Sequence, residues 1–192
     1  MKKFLALAGL VVFSTGLSAQ AADMVTLSDA QMTAIALSTV EPLDLINWKV
    51  GDTANYSVNV SSFLKGSSVK SVTKDEGTAL WVTQKMDLMI QKQTIEILIN
   101  KADGKVLKTI VDGKEQNTPE DPIEVISQDY GDVTVPAGTF NAIHIVAKSK
   151  QIEHIEIWAN PRDTVMDGAI KQAVKAQGMD IVIELTSFKR IP

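Results

Sequence analysis

The chain has 192 residues, with 19 Lys+Arg against 23 Asp+Glu, two His and no Cys. At 45% hydrophobic and 22% charged residues it has the composition of a globular protein, which excludes disordered, collagen-like and disulfide-scaffold classes. A net charge of −4 lacks the basic footprint of a nucleic-acid binder. Without cysteine there is no thiol nucleophile, no thiolate metal ligand and no lipobox for acylation.

Residues 1–21 read as a secretory signal peptide. Lys2 and Lys3 form the positive n-region, Phe4–Phe13 the apolar h-region, and Ala19-Gln20-Ala21 the small-residue cleavage site. The h-region is about half the length needed to span a bilayer. No other stretch is apolar enough to do so, and a periplasmic location follows. Cleavage leaves residues 22–192, read as one β-rich domain. It removes two lysines and no acid, leaving 17 bases against 23 acids, a net charge of −6.

Next in order, residues 24–39 carry the signals of a short helix. Ser28 is its N-cap, Gln31 completes a capping box, and Leu27 with Met32 form a hydrophobic staple. Met32, Ile35 and Ala36 give the apolar stripe, and Glu41-Pro42 ends it.

From Trp48 the period is two. Tyr56, Val58 and Val60 alternate with Asn55, Ser57 and Asn59, and Val69, Ser71 and Thr73 continue the pattern. Leu80, Val82, Met86 and Leu88 alternate with Trp81, Thr83, Lys85 and Asp87. Ile95, Ile97 and Ile99 are answered by Leu107–Val111 across the turn Ala102-Asp103-Gly104. Further strands are Val125–Gln128, Asp132–Val135, Phe140–Lys148, Ile152–Trp158 and Ile181–Phe188. The stretch 165–177 fits a short helix ended by Gly178 and fits a strand equally well. Short alternating strands at hairpin spacing predict a mainly β fold. The expected architecture is a curved antiparallel sheet forming an open or half barrel, with the N-terminal helix over it.

Candidate chemistry is sparse. If Lys148–Lys150 form a three-residue loop, His144 lies opposite His154 with Glu156 on the same face, a potential zinc set. The plainer reading of the same residues is the wet side of a strand. There is no GxSxG elbow, phosphate loop, dinucleotide fingerprint or EF-hand, and the paired acids sit in turns. Nothing supports an enzyme, and no cofactor is implied. Trp81, Trp158, Met86, Met89, Met166 and Met179 are candidates to line an apolar pocket on the concave face, since methionine adapts to irregular ligands. They serve equally as core filling.

Three stretches carry a family likeness. They are Trp48-Lys49-Val50-Gly51-Asp52 followed by Tyr56, the corner Val133-Thr134-Val135-Pro136-Ala137-Gly138-Thr139-Phe140, and the ending that runs from Ile157-Trp158 through Gly168-Ala169-Ile170-Lys171 to Glu184-Leu185-Thr186-Ser187-Phe188. Over residues 47–190 the chain resembles uncharacterised secreted bacterial half-barrel domains, similar in shape to the lipoprotein carriers of the Lol pathway. The resemblance implies an extended segment at 168–176. It also implies a non-enzymatic periplasmic protein binding an apolar small molecule, lipid, acyl chain or lipoprotein tail in the concave face. The rival readings are a structural or interaction module of the envelope, and a metal-dependent protein built on His144, His154 and Glu156.

Overall fold

The computed structural model describes residues 48–61, 64–89, 91–116, 124–149, 152–176 and 178–192. The signal peptide and the helix expected at 24–39 lie outside these residues. Eleven strands form one antiparallel sheet: β1 Thr53–Val60, β2 Leu64–Asp75, β3 Ala79–Asp87, β4 Lys92–Asn100, β5 Val106–Val111, β6 Lys114–Gln116, β7 Glu124–Val135, β8 Gly138–Lys148, β9 His154–Ala159, β10 Ala169–Ala176 and β11 Met179–Lys189. Their order is β6-β5-β4-β3-β2-β1-β11-β10-β9-β8-β7. Among the described residues β6 and β7 are the two edges, so the sheet is not closed into a barrel. It nevertheless curls. The tip of the β7–β8 hairpin reaches β11, where Ala137 N donates to Leu185 O at 3.1 Å and Phe140 meets Phe188 at 6.4 Å between ring centroids.

The core lies on one face, the side lined by Val58, Leu80, Ile95, Ile157, Ile170, Ile181 and Leu185. Alternation sends every second side chain there, as periodicity predicts. Asp52 closes the start of the sheet against its end. It is buried, and its carboxylate accepts from Lys49 N at 2.9 Å and Ile191 N at 2.7 Å.

The alternative left open at 165–177 falls to the extended form that the resemblance implied: residues 169–176 are β10, because Ile170, Gln172 and Val174 face the core between β9 and β11. Three expectations are corrected. Val125–Gln128 and Asp132–Val135 are one strand, since Tyr130-Gly131 continues the ladder opposite Ile143 and Ala142. In β2 the faces are exchanged. Pairing Tyr56 with Ser68 turns Ser68, Lys70 and Val72 to the core and leaves Val69 outside. Finally, His144 stands opposite Trp158, not His154. The β8–β9 connection is longer than three residues, because Ile152 is buried within it and its N–H donates to Ser149 Oγ at 3.1 Å.

Candidate functional site

The loop joining β9 to β10 decides what the concave face holds. Asn160 organises it: its Oδ1 accepts from the N–H groups of Arg162 and Asp163, each at 3.0 Å. Pro161 pre-sets the turn that follows. Thr164 donates to Asn160 O through both its N–H and its hydroxyl. The base closes where Asn160 N donates to Gly168 O at 2.9 Å. Gly168 has φ +73°, and a Cβ there would sit 2.2 Å from Pro161 N, so only glycine fits. The Arg190 guanidinium donates to three carbonyls of the loop, those of Pro161, Arg162 and Thr164.

Folded this way, the loop turns Val165, Met166 and Asp167 inward, each 2% exposed. They meet the floor of the sheet. Met166 and Asp167 lie against Trp48, Lys70, Val82, Gln84, Ile97 and Ile99, with no space for a water molecule between them. Asp167 Oδ2 pairs with Lys70 Nζ at 2.8 Å, the two side chains being 1% and 4% exposed. Beside them Gln84 Nε2 donates to Ser68 Oγ at 3.0 Å. Over the described residues, Met166 and Asp167 thus cover the part of the core face formed by Trp48, Lys70, Val82, Gln84, Ile97 and Ile99.

The candidate lining residues do not form one surface. Met86 and Met166 are buried in the core, and Met179 is partly buried against it. Trp81 and Trp158 alternate with the core-facing residues of β3 and β9, and Trp158 is also partly buried against the core. Trp81 Nε1 donates to Glu76 Oε1 at 3.0 Å. Met89 is 81% exposed in the turn after β3, apart from these buried methionines.

On that outer face His144, His154 and Glu156 do come together, though not through the expected register. Glu156 lies between the imidazoles, with Oε1 at 2.6 Å from His154 Nε2 and Oε2 at 3.4 Å from His144 Nε2. Asp129 Oδ1 is 3.2 Å from His144 Nδ1. The His154 hydrogen bond, aided by His144 and opposed by burial, holds the Glu156 carboxyl below its ordinary range. His144 stacks on Trp158 at 4.4 Å with 7° between the rings, and Lys171 Nζ lies 5.7 Å from the Trp158 centroid. Among the described residues no three His, Cys, Asp or Glu are grouped to hold a metal. The donor atoms of His144, His154 and Glu156 face one another as acid–base pairs on the outer face.

A second exposed feature is the free edge. All seven residues Glu124–Tyr130 of β7 are exposed, with Val125 at 47%, Ile126 at 55% and Tyr130 at 74%. Sequence reasoning placed these strands but missed Lys70, Asp167 and Arg190. The one signal for them was Lys70 standing two residues from Val72 in a strand with a core face.

No family model and no curated protein matches the chain. Among solved structures it is similar to the hypothetical protein CT021 from Chlamydia trachomatis, at 9% identity and TM-score 0.47, over 75% of this chain and 89% of that one. It is also similar to MucB, at 9% identity and TM-score 0.44, over 86% of this chain and 60% of MucB. Likenesses this remote carry nothing about function. No helix among the described residues is long and apolar enough to cross a membrane.

Proposed function

We propose that this is a non-enzymatic, exported module of the cell envelope that works by contact, adding an extended segment of a partner protein to the free edge of β7. What carries the reading is the exposure of the whole Glu124–Tyr130 half-strand, an edge among the described residues. Edge strands are normally guarded by Lys or Pro. β7 contains neither, and it presents Val125, Ile126 and Tyr130 to solvent. It carries Glu124, Asp129 and Asp132 and no base. A partner strand with apolar residues spaced by Lys or Arg complements it, the ladder giving affinity and the side chains giving selectivity.

The test is site-specific photo-cross-linking in cells, with benzoylphenylalanine at Tyr130 or, as a control, at Lys85 on β3. An adduct from position 130, absent from position 85 and abolished by Ile126→Pro, supports the reading. Equal adducts, or none from 130, refute it.

A second reading is an apolar ligand, such as a lipid, acyl chain or lipoprotein tail, on the concave face. One observation favours it: where the β9–β10 loop covers the apolar residues Val82, Ile97 and Ile99, its contact includes a buried ion pair. That reading requires the loop to withdraw.

A further inference from the structure

Resting on the edge-docking reading, we propose that His144 gates the β7 edge by its protonation. Neutral His144 leaves Asp129 to a Lys or Arg of the docking strand. Protonated His144 claims Asp129 for itself, so docking weakens as the surroundings acidify.

Three observations converge on this. First, the charge that the edge offers to a cation rests on one residue. The exposed half-strand Glu124–Tyr130 holds two acids. Glu124 has a permanent counter-ion in Lys148, whose Nζ is 3.4 Å away. Asp129 has an imidazole instead: its side chain is 65% exposed, and its Oδ1 lies 3.2 Å from Nδ1 of His144, its register partner on β8. Imidazole is the side chain that changes charge between about pH 5 and 8. Second, the other groups facing His144 leave that contact in place. Glu156 of β9 is committed to His154 at 2.6 Å and stands 3.4 Å from His144 Nε2, beyond a good hydrogen bond. Trp158 stacks on the ring at 4.4 Å and restrains it. Beyond Trp158, Lys171 of β10 is paired with Glu184 of β11 at 3.0 Å. On its own strand His144 is flanked on that side by Ala142 and Val146, which bring no charge. Third, protonation changes what the contact is. Neutral imidazole offers Asp129 an uncharged donor at most. Imidazolium offers a charge-assisted bond about twice as strong, and repels a second cation from the same carboxylate.

The assay titrates the protein by calorimetry with a capped peptide, Lys-Val-Lys-Val-Lys-Val-Lys, at about pH 7.5 and about pH 5.5, either side of imidazole protonation. Glu156 stays ionised at both, since its neighbours hold it below 4.5. The peptide is expected to bind about fivefold more weakly at the lower pH, the factor for one unit charge set against another about 4 Å away in water. His144→Gln is expected to bind it equally at the two. Equal binding of the unmodified protein at both pH values overturns the gate and leaves the edge-docking reading standing, as does a pH dependence that survives in His144→Gln. No binding at either pH, or binding that survives Ile126→Pro, overturns both. If His144→Gln does not fold, Asp129→Asn decides in its place: the gate predicts weaker binding without pH dependence, and a dependence that persists there overturns it.

Discussion

Replacing Lys70 by Met should destabilise the protein severely, whereas replacing both members of its ion pair should not. Lys70 and Asp167 are 4% and 1% exposed and 2.8 Å apart, so solvent screens neither. Removing the ammonium leaves a carboxylate buried beside Trp48, Val82 and Met166. Breaking a pair of this kind costs about 3–5 kcal/mol. With a urea m-value of about 2 kcal/mol/M, the denaturation midpoint of Lys70→Met should fall by about 1.5–2.5 M. Asp167→Leu should fall by a similar amount for the mirror-image reason. The double variant Lys70→Met/Asp167→Leu removes both charges and fills their volume with apolar atoms, and should return to within about 1 kcal/mol of the parent or exceed it. The assay is urea unfolding followed by circular dichroism, with a common m-value as the check on two-state behaviour. A Lys70→Met midpoint indistinguishable from the parent would show that the pair is not buried as described. A double variant whose loss equals the sum of the two single losses would show that the two charges act independently.

Two further outcomes follow from the geometry. Gly168→Ala forces a Cβ to within 2.2 Å of Pro161 N at φ +73°, so it should destabilise by more than about 2 kcal/mol and raise hydrogen exchange across residues 160–168. Because His154 and His144 hold the Glu156 carboxyl below its ordinary 4.5, its stabilising effect is complete above that value. The effect disappears as pH falls through the lower folded value. Glu156→Gln should accordingly be about 1 kcal/mol less stable than the parent near neutrality. The gap should close in acid, and a gap that widens there contradicts the sign.

Most of the sheet was legible because apolar alternation is strong where one face is buried: Ile95, Ile97 and Ile99 or Ile155 and Ile157 admit only one orientation. Legibility failed where that contrast fades. β2 is polar on both sides, so Lys70 and Val69 could not be told apart until cross-strand pairing with β1 set the register. The β8–β9 register had the right parity but the wrong pair, since parity is all that alternating isoleucines specify. The length of a loop holding a buried Ile152 is not written in its neighbours. The Lys70–Asp167 pair joins residues 97 positions apart, and no local pattern encodes such a meeting. The loop carrying Met166 was ambiguous because Asp167-Gly168 is turn chemistry set against a sequence that also suits a helix.

The central claim is that Met166 and Asp167 are packed on the core face of the sheet beside Trp48 and Lys70, and oxidation footprinting tests it directly. Hydrogen peroxide oxidises methionine according to access. Met89 is 81% exposed, whereas Met166 and Met86 are each 2% exposed. Mass spectrometry of the peroxide-treated native protein should therefore find Met89 converted to its sulfoxide while Met166 and Met86 remain unmodified. Oxidation of Met166 at the rate of Met89 would mean that the loop does not occupy the sheet, and the account would be wrong.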